Sequence, residues 1–213
     1  MVYHRHDEPG NPSEKRNLAI DQVEWVTVKD KDGNMLDVMC VNGPTCTEQP
    51  SLEAFSGYRN IASEASVSGS GDAACLTDGL LSISKGNAAF EAYLPETTIT
   101  RKTTFTFDFD TVRTVRAIMI YNSRDAKRIF KNISKIEFVC EREGLEVIHT
   151  IDNLAFHEGN YKVNSDGAVS YVIPGSAAGA WFEDLHVRSV RITVDVPVGQ
   201  SEVGISEVRI FGK

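Results

Sequence analysis

Two acidic residues in this chain are placed to do cation chemistry: Asp78, which is followed by Gly79, and Glu207 near the C-terminal end. A hard cation such as Ca²⁺ takes roughly six to eight oxygens, mostly carboxylates and turn carbonyls. An Asp-Gly turn offers both, because Asp78 supplies a carboxylate and Gly79 lets the backbone turn sharply enough for neighbouring carbonyls to point inward. Glu207, on the last apolar segment (residues 204–212), would supply the second carboxylate. An Asp-Gly pair is equally the signature of a plain turn, and both readings stand at this level. Other chemistry is not indicated. No serine, histidine and acid stand in a nucleophile setting, and there is no glycine-rich phosphate loop or helix-borne histidine motif, so catalysis by residues 55–213 is not expected. Cys40, Cys46, Cys75 and Cys140 match no zinc spacing and are expected as buried free thiols, with Cys40 and Cys46 the pair to consider if one forms.

The elements that must position these residues are strands. In a chain of 213 residues, 41% are hydrophobic and 24% charged, enough for one sizeable core plus a smaller piece. Phe105, Phe107 and Phe109 alternate with Thr104, Thr106, Asp108 and Asp110, the period of a half-buried strand. Residues 115–120 are apolar on both faces apart from Arg116, which predicts a central strand. Ile136, Phe138 and Cys140 share a face, and Val190, Ile192, Val194 and Val196 alternate with Arg191, Thr193 and Asp195. No stretch sustains helical spacing. Short antiparallel strands with glycine-rich connections predict an all-β chain, a two-sheet β-sandwich of jelly-roll type with a short extended N-terminal segment. Trp181 is expected in the core or in domain packing rather than as a sugar platform.

Lys plus Arg number 22 against 30 Asp plus Glu, for a formal charge of −8, and the basic residues are scattered, so nucleic acid is not an expected partner. No apolar run reaches the ~18 residues needed to cross a bilayer, and the N-terminus lacks the long apolar core of a signal peptide. A membrane is likewise not an expected partner. Asn132-Ile133-Ser134 matches the glycosylation sequon, which matters only in a secreting eukaryote.

The order of several short pieces carries a resemblance. Asn60-Ile61-Ala62, Ala65-Ser66, Asp78-Gly79, Phe105-Thr106-Phe107-Asp108-Phe109, residues 115–121, residues 187–194 and Ser206-Glu207-Val208 together resemble the discoidin or coagulation factor type C family, which includes the family 32 carbohydrate-binding modules. The likeness covers about residues 55–213 and implies a galactose-binding-like jelly roll. It also implies one structural Ca²⁺ held by the Asp78 carboxylate, the carbonyls near Cys75 and Leu81, and Glu207 with the Ser206 carbonyl. Leu80-Leu81-Ser82-Ile83-Ser84 departs from the family pattern and leaves Ser82 or Ser84 as the hydroxyl ligand. The resemblance places sugar contacts in loops, where an aromatic face and fixed polar groups would bind a polysaccharide or oligosaccharide. The candidates are Tyr121, Asn122 and Arg124 after the central strand, and Phe90 in the earlier loop with Asn87 and Tyr93.

Residues 1–50 read differently. Glu24-Trp25-Val26-Thr27-Val28 alternates as a strand, Asp32-Gly33 is a hairpin-type turn, and residues 35–41 form a second strand. Two strands do not make a core. Tyr3-His4-Arg5, Arg16 to Asp21 and Asp32-Gly33 resemble the closing strands of a family 43 glycoside hydrolase propeller. That likeness implies a catalytic neighbour whose carboxylates lie outside this chain, and leaves His4 and His6 as surface residues. The domain division expected is 1–50, propeller remnant and linker, and 51–213, sandwich. Two functions follow: a non-catalytic carbohydrate-binding module accessory to a polysaccharide-degrading hydrolase, or a structural sandwich that stabilises its neighbour and binds no sugar. Adhesion to protein or membrane would call for exposed apolar loop tips and ranks last.

Overall fold

Alternating apolar residues dictate strands throughout, and the computed structural model is built from them. It describes residues 2–6, 16–20, 22–29, 32–42, 49, 56–81, 96–157, 160–163 and 169–213. In chain order the strands are β1 (Val2–His6), β2 (Arg16–Ile20), β3 (Gln22–Lys29), β4 (Met35–Asn42), β5 (Arg59–Asn60), β6 (Ser66–Ser68) and β7 (Thr97–Ile99). They continue with β8 (Thr103–Asn122), β9 (Ile133–Arg142), β10 (Leu145–Leu154), β11 (Tyr161–Val163), β12 (Val169–Val172), β13 (Ala177–Val194) and β14 (Val203–Gly212). The helical turns include two short 3-10 turns, Ala62–Glu64 and Ala73–Leu76. Contacts divide the chain into two units, Met1–Thr45 with Leu80–Pro95, and Cys46–Gly79 with Glu96–Lys213.

The first unit contains two antiparallel hairpins. β1 pairs with β2 from Val2↔Ile20 to His6↔Arg16, and β3 pairs with β4 from Gln22↔Asn42 to Lys29↔Met35. Gly33, at φ 89°, makes the tight turn between β3 and β4. A two-stranded ribbon has one neighbour per strand and buries little. Trp25 and its cross-strand partner Met39 accordingly remain 72% and 55% exposed.

The second unit is an antiparallel β-sandwich whose two sheets share strands β8 and β13. In one sheet the order is β10, β9, the second half of β13, the first half of β8, then β6. In the other, the first half of β13 pairs with the second half of β8, which pairs with β14, which carries β7 and β5 on its far edge. The change of sheet occurs at a large irregularity. Val187 pairs with Arg113 but Ser189 pairs with Asp108, so residues 109–112 of β8 stand opposite Arg188, whose guanidinium donates to the Asp110 carbonyl at 2.7 Å. Extra residues on one strand of a pair bend it and increase its twist, which lets one strand serve both sheets.

Phe105, Phe107 and Phe109 from one sheet meet Ile118, Ile120, Ile205, Val208 and Ile210 from the other in a single buried cluster. Each such side chain contributes about 1.5–3 kcal/mol relative to its exposed state. Ile136, Phe138 and Cys140 join it, as do Val190, Ile192 and Val194, while Val196 packs against it half-buried. Ala117, Met119 and Tyr121 point to the other side of their sheet and are buried too, which accounts for a run apolar on both faces. Trp181 lies outside the buried core, half-exposed beside Gly179. A second irregularity places residues 182–184 of β13 opposite Arg116 and brings Asp184 to it at 2.9 Å. Tyr58 donates to both Asp184 oxygens at 2.7 Å, and Lys213 lies 4.6 Å from the Tyr58 ring centroid, so both ends of the sandwich sequence are fastened at this point.

Candidate functional site

Three loops meet where β8 ends. Residues 123–132 connect β8 to β9, residues 173–176 lead into β13, and residues 195–202 lead into β14. The Gly175 amide donates to the Ser123 carbonyl at 3.0 Å and the Gly204 amide to the Arg128 carbonyl at 2.7 Å. Gln200 Nε2 donates to the Lys127 and Ile129 carbonyls, both at 3.2 Å. Buried Phe130 stacks on Phe156 at 5.2 Å, adding the segment after β10 to the cluster.

Arg124 projects from this cluster, half-exposed, and lies against Gly175. A Cβ on Gly175 would sit 3.1 Å from Arg124 Nε, and the φ of +79° at Gly175 also disfavours any other residue. The guanidinium therefore rests on backbone that only glycine leaves bare. Tyr121 and Asn122, expected beside it as sugar contacts, are 1% and 0% exposed. The Tyr121 hydroxyl donates to Gln49 Oε1 at 2.8 Å, and the guanidinium of Arg209 covers its ring at 5.1 Å. Asn122 clamps the base of the loop: its Nδ2 donates to the Phe130 carbonyl, and its Oδ1 accepts from the Phe130 amide, each at 3.0 Å. Both residues are framework rather than ligand surface, because their polar atoms are used internally and no face is open. Phe90, Asn87 and Tyr93 lie outside the described residues.

Glu96, not singled out in the sequence, is the buried acid of this end. Its Oε2 accepts from Ser123 Oγ at 2.7 Å, and its Oε1 stands 2.6 Å from Arg128 Nη1 in a charge contact without hydrogen-bond alignment. Burial pushes the Glu96 carboxyl up, against the pull of Ser123 and Arg128. Asp125, which accepts from the Lys127 amide at 2.9 Å, is held below the usual carboxylate range chiefly by that bond.

The second candidate locus joins the Asp78-Gly79 turn to β14. Asp72 caps the 3-10 turn by accepting from the Ala74 amide at 3.3 Å, and Gly79 follows at φ +81°. The Gly79 amide donates to Glu207 Oε2 at 3.3 Å, while Glu207 Oε1 is buried with no hydrogen-bond partner. Glu207 sits mid-strand opposite Tyr121, fully buried. Burial first, and exposed Asp78 beside it, push its carboxyl up to about 9 despite Arg209. An orphaned buried carboxylate oxygen near a second carboxylate fits a hard cation, which takes oxygen donors in irregular geometry. Among the described residues no group of three His, Cys, Asp or Glu side chains is close enough to hold a metal, so carbonyls would have to complete any shell.

The other expected ligands are placed less directly. Ser206 spends its hydroxyl on the Asn122 carbonyl at 2.8 Å. Cys75 is a half-buried free thiol, pushed up to about 11 by burial and then by Asp72 and Asp78, and so carries its proton. Cys140 is free and buried, while Cys46 lies outside the described residues. Leu81 belongs to the first unit, and Ser82 and Ser84 lie outside the described residues.

No family model matches the chain. No curated protein matches it either. Among solved structures the chain is similar to a fucose binding module of Streptococcus pneumoniae, SpX-3, at 17% identity and a TM-score of 0.47, over 71% of this chain and 96% of that one. It is similar to the lectin domain of lectinolysin complexed with Lewis B antigen, at 16% identity and a TM-score of 0.42, over 72% and 96% of the two chains. It is also similar to the family 32 module of NanJ from C. perfringens in complex with galactose, at 17% identity and a TM-score of 0.40, over 72% and 98%.

Proposed function

We propose that the chain is a non-catalytic carbohydrate-binding module that takes a neutral sugar at the loop end of the sandwich, with Arg124 as its principal polar contact. The observation that carries this reading is the seat of Arg124 on the bare backbone of Gly175, in a loop held by the buried groups of Asn122, Ser123 and Glu96. A polar group fixed in advance loses little conformational freedom on binding. Neighbouring Arg128 is paired with both Glu96 and Asp125, so the surroundings of Arg124 add no excess positive charge and favour a hydroxylated ligand over an anionic one. Shallow sites bury little ligand, and affinity near millimolar, about −4 kcal/mol, is the natural expectation.

A glycan array followed by NMR titration with galactose and fucose tests the reading, with Arg124→Ala expected to abolish binding. Unchanged binding in that variant moves the site elsewhere. Retention of every sugar by neither protein favours a purely structural sandwich. Structural Ca²⁺ is part of the proposal, held by the Asp78 and Glu207 carboxylates with the Cys75 and Ser206 carbonyls, and supported by the orphaned Glu207 oxygen. A ligand that binds only the folded state stabilises it. Chelator should therefore lower the melting temperature, and Asp78→Asn should remove that effect. A family 43-like hydrolase as covalent neighbour is supported by the pieces of residues 1–45 quoted above. Glycoside hydrolase activity in a longer polypeptide that carries these residues is the matching result; aryl glycoside turnover by this chain would overturn the non-catalytic assignment.

A further inference from the structure

Glu96 contacts the start and the middle of the loop that carries Arg124, although two strands, β7 and β8, separate it from that loop in sequence. At the loop's start its carboxylate accepts from Ser123 Oγ at 2.7 Å, and the same hydroxyl accepts from the Asp125 amide at 2.9 Å. Midway along the loop it faces Arg128 Nη1 at 2.6 Å, while Arg128 Nε reaches Asp125 Oδ2 at 3.3 Å and Glu202 Oε1 at 3.8 Å. The Glu96 side chain is only 5% exposed, whereas Asp125 and Glu202 are 36% and 40% exposed. Ion pairs at the surface contribute little, but a buried charge contact to a partner that would otherwise be unpaired contributes more. Gly204 of β14 makes space for this carboxylate. A Cβ there would stand 2.7 Å from the Glu96 carboxyl carbon, so β14 leaves room for this one side chain at the point where its backbone bonds Arg128 and Ser123.

We infer that Glu96 is a positioning residue for sugar recognition: its buried carboxylate ties Ser123 to Arg128 and thereby sets the loop that lays Arg124 across Gly175. This rests on the assignment of Arg124 as the sugar contact. The Glu96 side chain is almost wholly buried, so its part is to hold the loop and not to meet the sugar.

The test uses the full chain with Glu96→Gln, which keeps the shape and removes the charge. Amide hydrogen exchange reads the loop without any sugar present. Protection at the Arg128 and Gly204 amides, which donate to the Asp125 and Arg128 carbonyls, is expected to fall about tenfold, the size of a lost charge-assisted bond, with the Phe107 amide in the core unchanged. Affinity for galactose or fucose, by NMR titration, is expected to fall with it. Arg128→Gln should reproduce both losses, and the double variant should add little to either, because the two residues act through one contact. It also serves if Glu96→Gln does not fold. Unaltered exchange in Glu96→Gln overturns the inference, as does lost protection with undiminished sugar affinity. If the wild-type chain binds neither sugar while the exchange result holds, the functional assignment fails and the loop-setting role of Glu96 stands.

Discussion

Glu207 makes stability in metal-free buffer depend on pH in a way opposite to most carboxylates. Burial in β14 pushes its carboxyl up to about 9 from an ordinary 4.5. Between those values the folded protein keeps a proton that the unfolded chain has released, so the contribution is fully present below 4.5 and is lost as pH rises through about 9. One proton corresponds to about 1.4 kcal/mol per pH unit, hence about 3 kcal/mol between pH 6 and 8. For a chain of this size that is a fall on the order of 5–10 °C in melting temperature. Glu207→Gln mimics the protonated form and should remove this part of the slope. Calcium at a hundredfold excess over its dissociation constant would return about 2.7 kcal/mol, most of it at the alkaline end where the carboxylate is ionised. Thermal scans of metal-stripped wild type and Glu207→Gln at pH 6, 7 and 8, at matched ionic strength, measure the difference in slope. Equal slopes would refute the argument, since every other titrating group is common to the two proteins.

Phe107→Ala, in the centre of the shared core, should cost about 3–5 kcal/mol by denaturant titration with little change in strand content. Gly204→Ala should cost about 1–3 kcal/mol, because its Cβ would push the Glu96 carboxyl away from Ser123 and Arg128; calorimetry reads the loss. Asp184 is held below its ordinary range first by the Tyr58 hydroxyl and then by Arg116, so its contribution is present at neutral pH and lost as pH falls into the acid range. Tyr58→Phe should raise the Asp184 titration midpoint seen by carboxyl NMR, with a stability change under about 1 kcal/mol at this exposed site.

The β architecture was legible because its signal is local. Three phenylalanines at period two must share a face, and Phe105, Phe107 and Phe109 do so in the core. The apolar residues at 115–120 likewise predicted a strand buried on both sides. The roles of Tyr121 and Asn122 were not legible, because a residue at a strand end is ligand surface or framework according to what covers it. The cover here comes from remote groups, Gln49 for the Tyr121 hydroxyl and Phe130 for the Asn122 amide. Nor was the half-exposed position of Trp181 apparent, since a large aromatic next to a core strand carries no sign of which way the irregularity after it will turn.

Asp78 is singled out by the glycine that follows it, and Glu207 and Arg124 by the order of short pieces that carries the resemblance. Glu96 announces nothing: it stands next to a proline, far in sequence from Ser123 and Arg128. Only the pairing of β7 with β14, and of β14 with β8, brings its carboxylate to Ser123 and Arg128. Burial, which sets the protonation of Glu207 and gives the Glu96 contacts their strength, is a property of the closed sandwich, since desolvation depends on every segment packed around a group and on none of them alone.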